Sequence, residues 1–338
     1  MILNTLCLKV NPVKPEADKI TLAAAYLRKS ELVAFPTETV YGLGALAFDP
    51  AAVKKIFLAK ERPADKPLLV HISKLEQLAG LVKSIPADAR LLMDRFWPGP
   101  LSIILPAREE VPAIVRGGKN TVGLRMPSHP VALALIEAAG PIAAPSANLF
   151  SRPSPLSAEH VKADLDSRIA VILDAGTTGL GLESTIIDMS GMDYQILRRG
   201  GIPEEALREV LGVSLKLLNS STKEKEILQK SRSLVLVCKD MNQLESSICE
   251  YEKTNKKVAV VHNNYSNQHI NANVFREYQV DLDGISIEES HQQSLYSILR
   301  DAEEQGIDVL LFAPFPSNLS GTASAWLERI KNAAGMEI

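Results

Sequence analysis

The sequence contains no apolar run of the roughly 18 to 20 residues that a membrane-crossing helix needs. Its first stretch, MILNTLCLKVNPVKPEADKI, has neither a basic leader nor a long hydrophobic segment. Secretion is therefore not expected, and a cytoplasmic location is. Cysteine is scarce: Cys7, Cys238 and Cys249 stand far apart with no CxxC spacing, which suits reduced thiols rather than a disulfide framework. The histidines are equally scattered, none paired at helical ligand spacing, so no protein-ligated metal is expected. There is no GxxxxGK[ST] phosphate loop. Basic excess is missing too. Over residues 1–212, Lys and Arg number 24 against 23 Asp and Glu; over the remainder they number 13 against 17. Neither part is basic enough to suggest nucleic acid bound along a broad surface, and any anion site must be local.

What is present is an ordinary globular composition, 46% apolar and 23% charged over 338 residues. That allows a sizeable core and is long enough for two domains. Short runs rich in Val, Ile and Leu predict strands at 32–36, 68–72, 101–105, 121–126, 142–144, 169–174, 184–189 and 194–199. Helices are predicted in DPAAVKKIFLAKE, with Asp49 as N-cap and Pro50 at the first helical position, and in PADARLLMDRFW, HPVALALIEAAG, SAEHVKADL and PEEALREVLG. Strands and helices do not strictly alternate, so residues 1–212 are expected to form an α+β or mixed α/β sheet domain. The polar, charged stretch NSSTKEKEILQKSRS (219–233) reads as part of a linker spanning 213–232. Beyond it, strands at 233–237, 257–261 and 309–313 alternate with helices near 241–253, 285–304 and 322–334. Alternation of that kind predicts a small three-layer α/β domain with a parallel sheet over 233–338.

Against this neutral background, KERPADKPLLVHI sets Lys60, Arg62 and Lys66 close together, stiffened by Pro63 and Pro67. The cluster reads either as a local anion site or as cations complementing a helix C-terminus. GLGALA (42–47) matches a dinucleotide-binding fingerprint, but Asp49 and Pro50 open the next helix too late to meet a pyrophosphate there. A glycine-rich bend permitting close backbone packing is expected instead. APSANLF places Ser146 and Asn148 just after a buried strand, and GTTGLGLESTIID leads a glycine-rich loop into Ser184. Thr121 and Arg125, four apart in a strand, share a face. Hydroxyls, an amide and single arginines at strand ends suit a polyphosphate or a zwitterion, since they offer many directed donors and few charges to bury. Taken singly, His71 reads as well as a buried histidine, Thr37 and Ser184 as turn hydroxyls, and Arg152, Arg198 and Arg199 as solvated surface.

Five stretches in order carry a resemblance: FPTETVYGLG (35–44), KER (60–62), KPLLVHI (66–72), TVGLRMP (121–127) and PSAN (145–148). Together they resemble the YrdC-like threonylcarbamoyl-AMP synthases over residues 10 to 210, through RRGGIPEEAL. The carboxy-terminal third more loosely resembles the extra domain of the long-form members. The resemblance implies a twisted mixed-sheet catalytic domain. It also implies synthesis of threonylcarbamoyl-AMP and pyrophosphate from L-threonine, bicarbonate and ATP, feeding threonylcarbamoyladenosine formation at position 37 of tRNA.

By the same resemblance, Lys60 and Arg62 would be the catalytic cations. ATP would lie among Lys60, Arg62, Thr121, Ser146, Asn148 and Arg198, and L-threonine among Thr37, His71, Arg125 and Ser184. Mg2+ would be held through the ATP phosphates and water rather than by an acidic cage. A non-catalytic module binding structured RNA is the alternative, and carbamoyl transfer of the hydrogenase-maturation type a more distant one, lacking its zinc-finger and acylphosphatase-like modules here. One departure stands out. VSLKLLNSSTKEKEILQKSRS lacks the PGM…RHY-type motif with which long-form linkers cover the active site, so a weaker or absent lid is expected.

Overall fold

The computed structural model describes residues 4–212, 216–217, 233–263, 274–280, 295–316, 319 and 321–334. Two compact units emerge, one of Met1–Phe150, Ser154–Thr178 and Glu183–Asn219, the other of Ser151–Pro153, Gly179–Leu182 and Ser220–Ile338.

The first unit is built on eleven described strands: β1 (Leu6–Lys9), β2 (Val33–Phe35), β3 (Gly42–Leu46), β4 (Leu69–His71), β5 (Leu101–Pro106), β6 (Thr121–Arg125), β7 (Ile142–Ala143), β8 (Val171–Asp174), β9 (Thr185–Asp188), β10 (Gln195–Arg198) and β11 (Lys216–Leu217). They form one mixed sheet in the order β1-β8-β2-β3-β7-β4-β6-β5-β9-β10-β11. Its helices are α1 (Ala17–Arg28), α2 (Pro50–Lys60), α3 (Ala87–Phe96), α4 (Ala113–Arg116), α5 (Pro130–Ala139), α6 (Ala158–Leu165) and α7 (Glu204–Leu211). Asp49 caps α2 by accepting from the amides of Ala51 and Ala52, both at 3.0 Å, with Pro50 pre-set for the first turn.

Strand alternation divides the core. In β2, Val33 and Phe35 face one way and Ala34 the other; in β8, Val171 and Leu173 oppose Ile172. The first set packs with α1 through Ile20, Ala23, Ala24 and Leu27 and with α5 through Val131, Ala132, Leu135 and Ile136. This recurrence at three and four positions is what a helix needs to seat on a sheet. The second set joins the larger cluster with α2 and α3, which also takes Val70, Leu124, Ile103 and Ile187 from β4, β6, β5 and β9. None of those four strands contributes to the cluster under α1 and α5. On that face, beyond β7, the sheet is therefore available for polar groups.

The second unit contains β12 (Leu234–Val237), β13 (Val258–Asn263), β14 (Arg276–Val280) and β15 (Val309–Phe312), with α8 (Met241–Lys253), α9 (Leu295–Glu304) and α10 (Gly321–Ala334). The strand order is β12-β15-β13-β14 and every pairing is parallel, as expected for the small α/β domain.

Several details differ from the sequence reading. The glycine-rich bend at 42–47 is strand β3. Gly44 has no room for a side chain there, since a Cβ would meet Ile142 at 2.7 Å and Phe35 at 2.9 Å. β1, α1, α4 and β14 had no anticipated counterpart. The helix expected near 285–304 is described from Leu295 onward; its earlier part lies outside the described residues. So does the linker stretch with its missing motif, apart from Lys216–Leu217, which pair with β10.

Candidate active site

β4 and β6 run parallel with His71 opposite Arg125. β6 and β5 run antiparallel with Leu124 opposite Ile103, which sets Ser102 beside Arg125 one register step on. Ser102 in turn stands opposite Ile186 of β9, and Ile186 opposite Arg198 of β10. Opposed residues point to the same side of a sheet. His71, Arg125, Ser102, Ile186 and Arg198 therefore form a single row on the face that α1 and α5 leave to polar groups. Thr121 and Gly123 share Arg125's face further along β6, and Thr121 is half-buried.

The cation cluster begins where α2 ends. The last helical residue is Lys60, and Glu61 adopts the left-handed conformation with φ 54°, an uncommon state for a non-glycine residue. Lys60 is 1% exposed, and its Nζ donates to the carbonyls of both Ser146 and Asn148. The same loop is tied to β3 by the Ser146–Gly42 bridge and by Ala147 N donating to Tyr41 O at 2.8 Å. The ammonium is thus a shaping element of the PSAN loop as well as a charge. Burial pushes the Arg62 guanidinium down to about 10, nearby Asp65 opposes that, and Arg198 adds repulsion. Arg62 Nε is buried without a hydrogen-bond partner. Arg62 and Lys66 lie over the Phe150 ring, 5.9 and 4.6 Å from its centroid. Partly desolvated cations that repel each other are an anion site in waiting, because a bound anion relieves both penalties.

Arg198 donates through Nε to Ser184 O and through Nη2 to Ser184 Oγ, each at 3.0 Å. The Ser184 hydroxyl also shares a 2.8 Å bond with Ser102 Oγ, and both serines are buried. Gly200 makes this approach possible: a Cβ there would come within 2.3 Å of Glu183 O and 2.5 Å of the Ser184 carbonyl carbon. Arg199 instead pairs with Glu204 at 3.2 Å. Arg152 belongs to the second unit, where it pairs with Glu303.

Arg125, 4% exposed, donates Nη1 to Thr39 Oγ1 at 2.9 Å and Nε to Gly99 O at 3.3 Å, and its Nη2 lies 2.7 Å from Glu38 Oε1. Thr39 Oγ1 lies 2.8 Å from Thr37 Oγ1. Thr37 itself donates to Val40 O at 2.7 Å and accepts from the Thr39 and Val40 amides. It is a turn hydroxyl linked to Arg125 through Thr39. His71 is buried against Phe35, the rings 6.2 Å apart edge to face. Burial first, then the neighbouring Arg125 charge, holds its imidazole down to about 3, so it is neutral at physiological pH.

Residues 25–200 match the Sua5/YciO/YrdC family model, described as telomere recombination, and residues 217–335 match the model described as threonylcarbamoyl-AMP synthase, C-terminal domain. A threonylcarbamoyl-AMP synthase of Pyrococcus abyssi is 40% identical, covering 95% of this chain and 95% of the relative. The chain belongs to the threonylcarbamoyl-AMP synthase family. A second member, from Bacillus subtilis, is 41% identical over 94% of this chain and 93% of its own. Among solved structures, P. abyssi Sua5 complexed with L-threonine superimposes with a TM-score of 0.86 at 38% identity, covering 98% of each chain. Escherichia coli YciO, at 28% identity and TM-score 0.53, covers 58% of this chain and 96% of its own.

The long-form synthase architecture expected from the sequence is thus present. Among the described residues, no group of three His, Cys, Asp or Glu side chains gathers as metal ligands, and no helix is long and apolar enough to cross a membrane. Sequence reasoning did not single out Ser102, Glu38 or Thr39. A serine in the otherwise apolar run LSIIL was one available signal; the acid and hydroxyl inside FPTETV were another.

Proposed function

We propose that this protein is a nucleotidyltransferase that makes threonylcarbamoyl-AMP and pyrophosphate from L-threonine, bicarbonate and ATP. In this reading residues 1–212 carry the catalysis, 213–232 link, and 233–338 form the second domain. The protein works in the cytoplasm, and its product passes to the machinery that modifies adenosine 37 of tRNA. The observation that supports the reading is the row His71–Arg125–Ser102–Ile186–Arg198, with Arg62 near enough to Arg198 for the two charges to repel.

The nucleophile belongs to the substrate. The threonine amine and bicarbonate condense to a carbamate with loss of water. A carbamate oxygen then attacks the α-phosphorus, and the bond to the β-phosphate oxygen breaks to release pyrophosphate. The protein's task is to align the carbamate, spread the triphosphate charge and exclude water from a labile mixed anhydride. Lys60, Arg62 and Arg198 supply the cations around the phosphates, and Thr121, Ser146 and Asn148 supply directed polar groups. Arg125 takes the threonine carboxylate, with His71, Ser184 and the Thr37–Thr39 turn around it. A neutral His71 fits this role, since it adds polarity without another buried charge. The donors around the phosphates are cationic and neutral, a set that suits Mg2+ held by phosphate oxygens and water. When bound, Mg2+ would neutralise part of the triphosphate charge.

The test is to supply 13C-bicarbonate with Mg-ATP and L-threonine and to look for the adenylate by mass spectrometry. A product heavier by the label, absent when threonine is omitted, is expected. AMP and pyrophosphate with no label-bearing adduct would refute the reading.

A further inference from the structure

The threonine reading leaves one partly buried carboxylate unexplained. Glu38 lies in the loop between β2 and β3, its side chain 14% exposed, with Oε1 2.7 Å from Arg125 Nη2. Its Oε2 accepts from the Ser128 amide at 3.1 Å, just beyond β6, so the carboxylate is anchored from the opposite side. Yet Glu38 Oε1 and Arg125 Nη2, both shielded from water, have no well-aligned hydrogen bond despite their proximity. The other two nitrogens of the guanidinium are committed to Thr39 Oγ1 and Gly99 O. A desolvated ion pair without directed bonds recovers its solvation cost poorly. A ligand offering directed partners to both atoms would add the hydrogen bonds this ion pair lacks.

We propose that the Glu38–Arg125 pair recognises its ligand as a zwitterion, Arg125 Nη2 taking the α-carboxylate and Glu38 Oε1 the α-ammonium. This rests on the assignment of Arg125 to the amino-acid carboxylate and extends it to the other end of the same molecule. A zwitterion laid against the pair in the opposite sense meets each unsaturated atom with its complement and adds no net charge to a buried place. A carboxylate without the amine would bring a second negative charge beside Glu38. Glu38 therefore selects α-amino acids over hydroxy acids of the same shape. Because the ammonium must lose a proton before it can capture bicarbonate, Glu38 also marks where that amine waits.

The experiment is equilibrium binding of L-threonine to the full chain, with 3-hydroxybutyrate as an amine-free competitor, in wild type, Glu38→Gln and Glu38→Asp. Loss of one charge-assisted contact predicts roughly tenfold to hundredfold weaker threonine binding in Glu38→Gln, with a smaller loss in Glu38→Asp. 3-Hydroxybutyrate should compete no worse against Glu38→Gln than against wild type. Retained binding of a non-hydrolysable ATP analogue shows that the variant is folded. Equal weakening of both ligands would mean that Glu38 merely orients Arg125, and unchanged or tighter threonine binding would mean that it obstructs the site; either overturns the proposal. Wild type that binds no threonine overturns the underlying assignment instead.

Discussion

Arg198 grips Ser184 at two points, its Nε on the carbonyl and its Nη2 on the hydroxyl, each at 3.0 Å. A planar fork can reach both at once; an ammonium cannot reproduce that geometry. Arg198→Lys should therefore raise the KM for ATP about tenfold or more, for loss of one charge-assisted contact, while the fold persists. Steady-state kinetics at saturating threonine checks this, and an unchanged KM would remove Arg198 from the nucleotide site.

Ser102 meets Ser184 through the 2.8 Å hydroxyl pair. Ser102→Ala leaves a small gap and one fewer partner for Ser184. We expect a stability loss of about 1 kcal/mol and a several-fold rise in the KM for threonine, with Ser102→Thr retaining more activity than Ser102→Ala. Urea unfolding together with kinetics separates the two effects.

Lys60 carries a structural duty beside its charge. Lys60→Ala strips a donor from the Ser146 and Asn148 carbonyls, at a cost of about 1–3 kcal/mol for each group left unsatisfied. The variant should lose nearly all activity and also melt earlier. A dead variant with wild-type stability would show that the two carbonyls find other partners.

His71 is held neutral down to about 3, whereas an unfolded histidine titrates near 6.5. Between those values the unfolded chain binds a proton that the folded chain does not, so stability falls as pH drops from about 6.5 towards 3. His71→Asn should flatten that limb of the unfolding free energy measured in urea. An identical slope in wild type and variant would show that His71 is protonated in the folded state.

Much of the fold could be read because its strands are short, apolar and punctuated. LLVHI, TVGLRM and STIIDM announced β4, β6 and β9 by composition. The sequence of β3 reads as a bend because its glycines imitate a turn; what holds them in a strand is the lack of space beside Ile142 and Phe35, a tertiary fact. α1 offered only a stripe of alanines, which becomes meaningful once α5 packs beside it. The candidate site residues come from the motifs, yet the sequence could not tell that Thr37 spends its hydroxyl on its own turn or that Arg199 turns to Glu204. Ser102 and Glu38 stayed hidden for a different reason. Their roles depend on register across strands and on a loop returning to β6, which no local spacing encodes.

The central claim is that one face of the first sheet holds a nucleoside triphosphate and an amino acid together. Pyrophosphate release by the purified protein tests it most directly, measured with Mg-ATP, bicarbonate and L-threonine and again with each withheld in turn. The account predicts release only in the complete mixture. Release that persists without threonine, or none at all in the complete mixture, would contradict it.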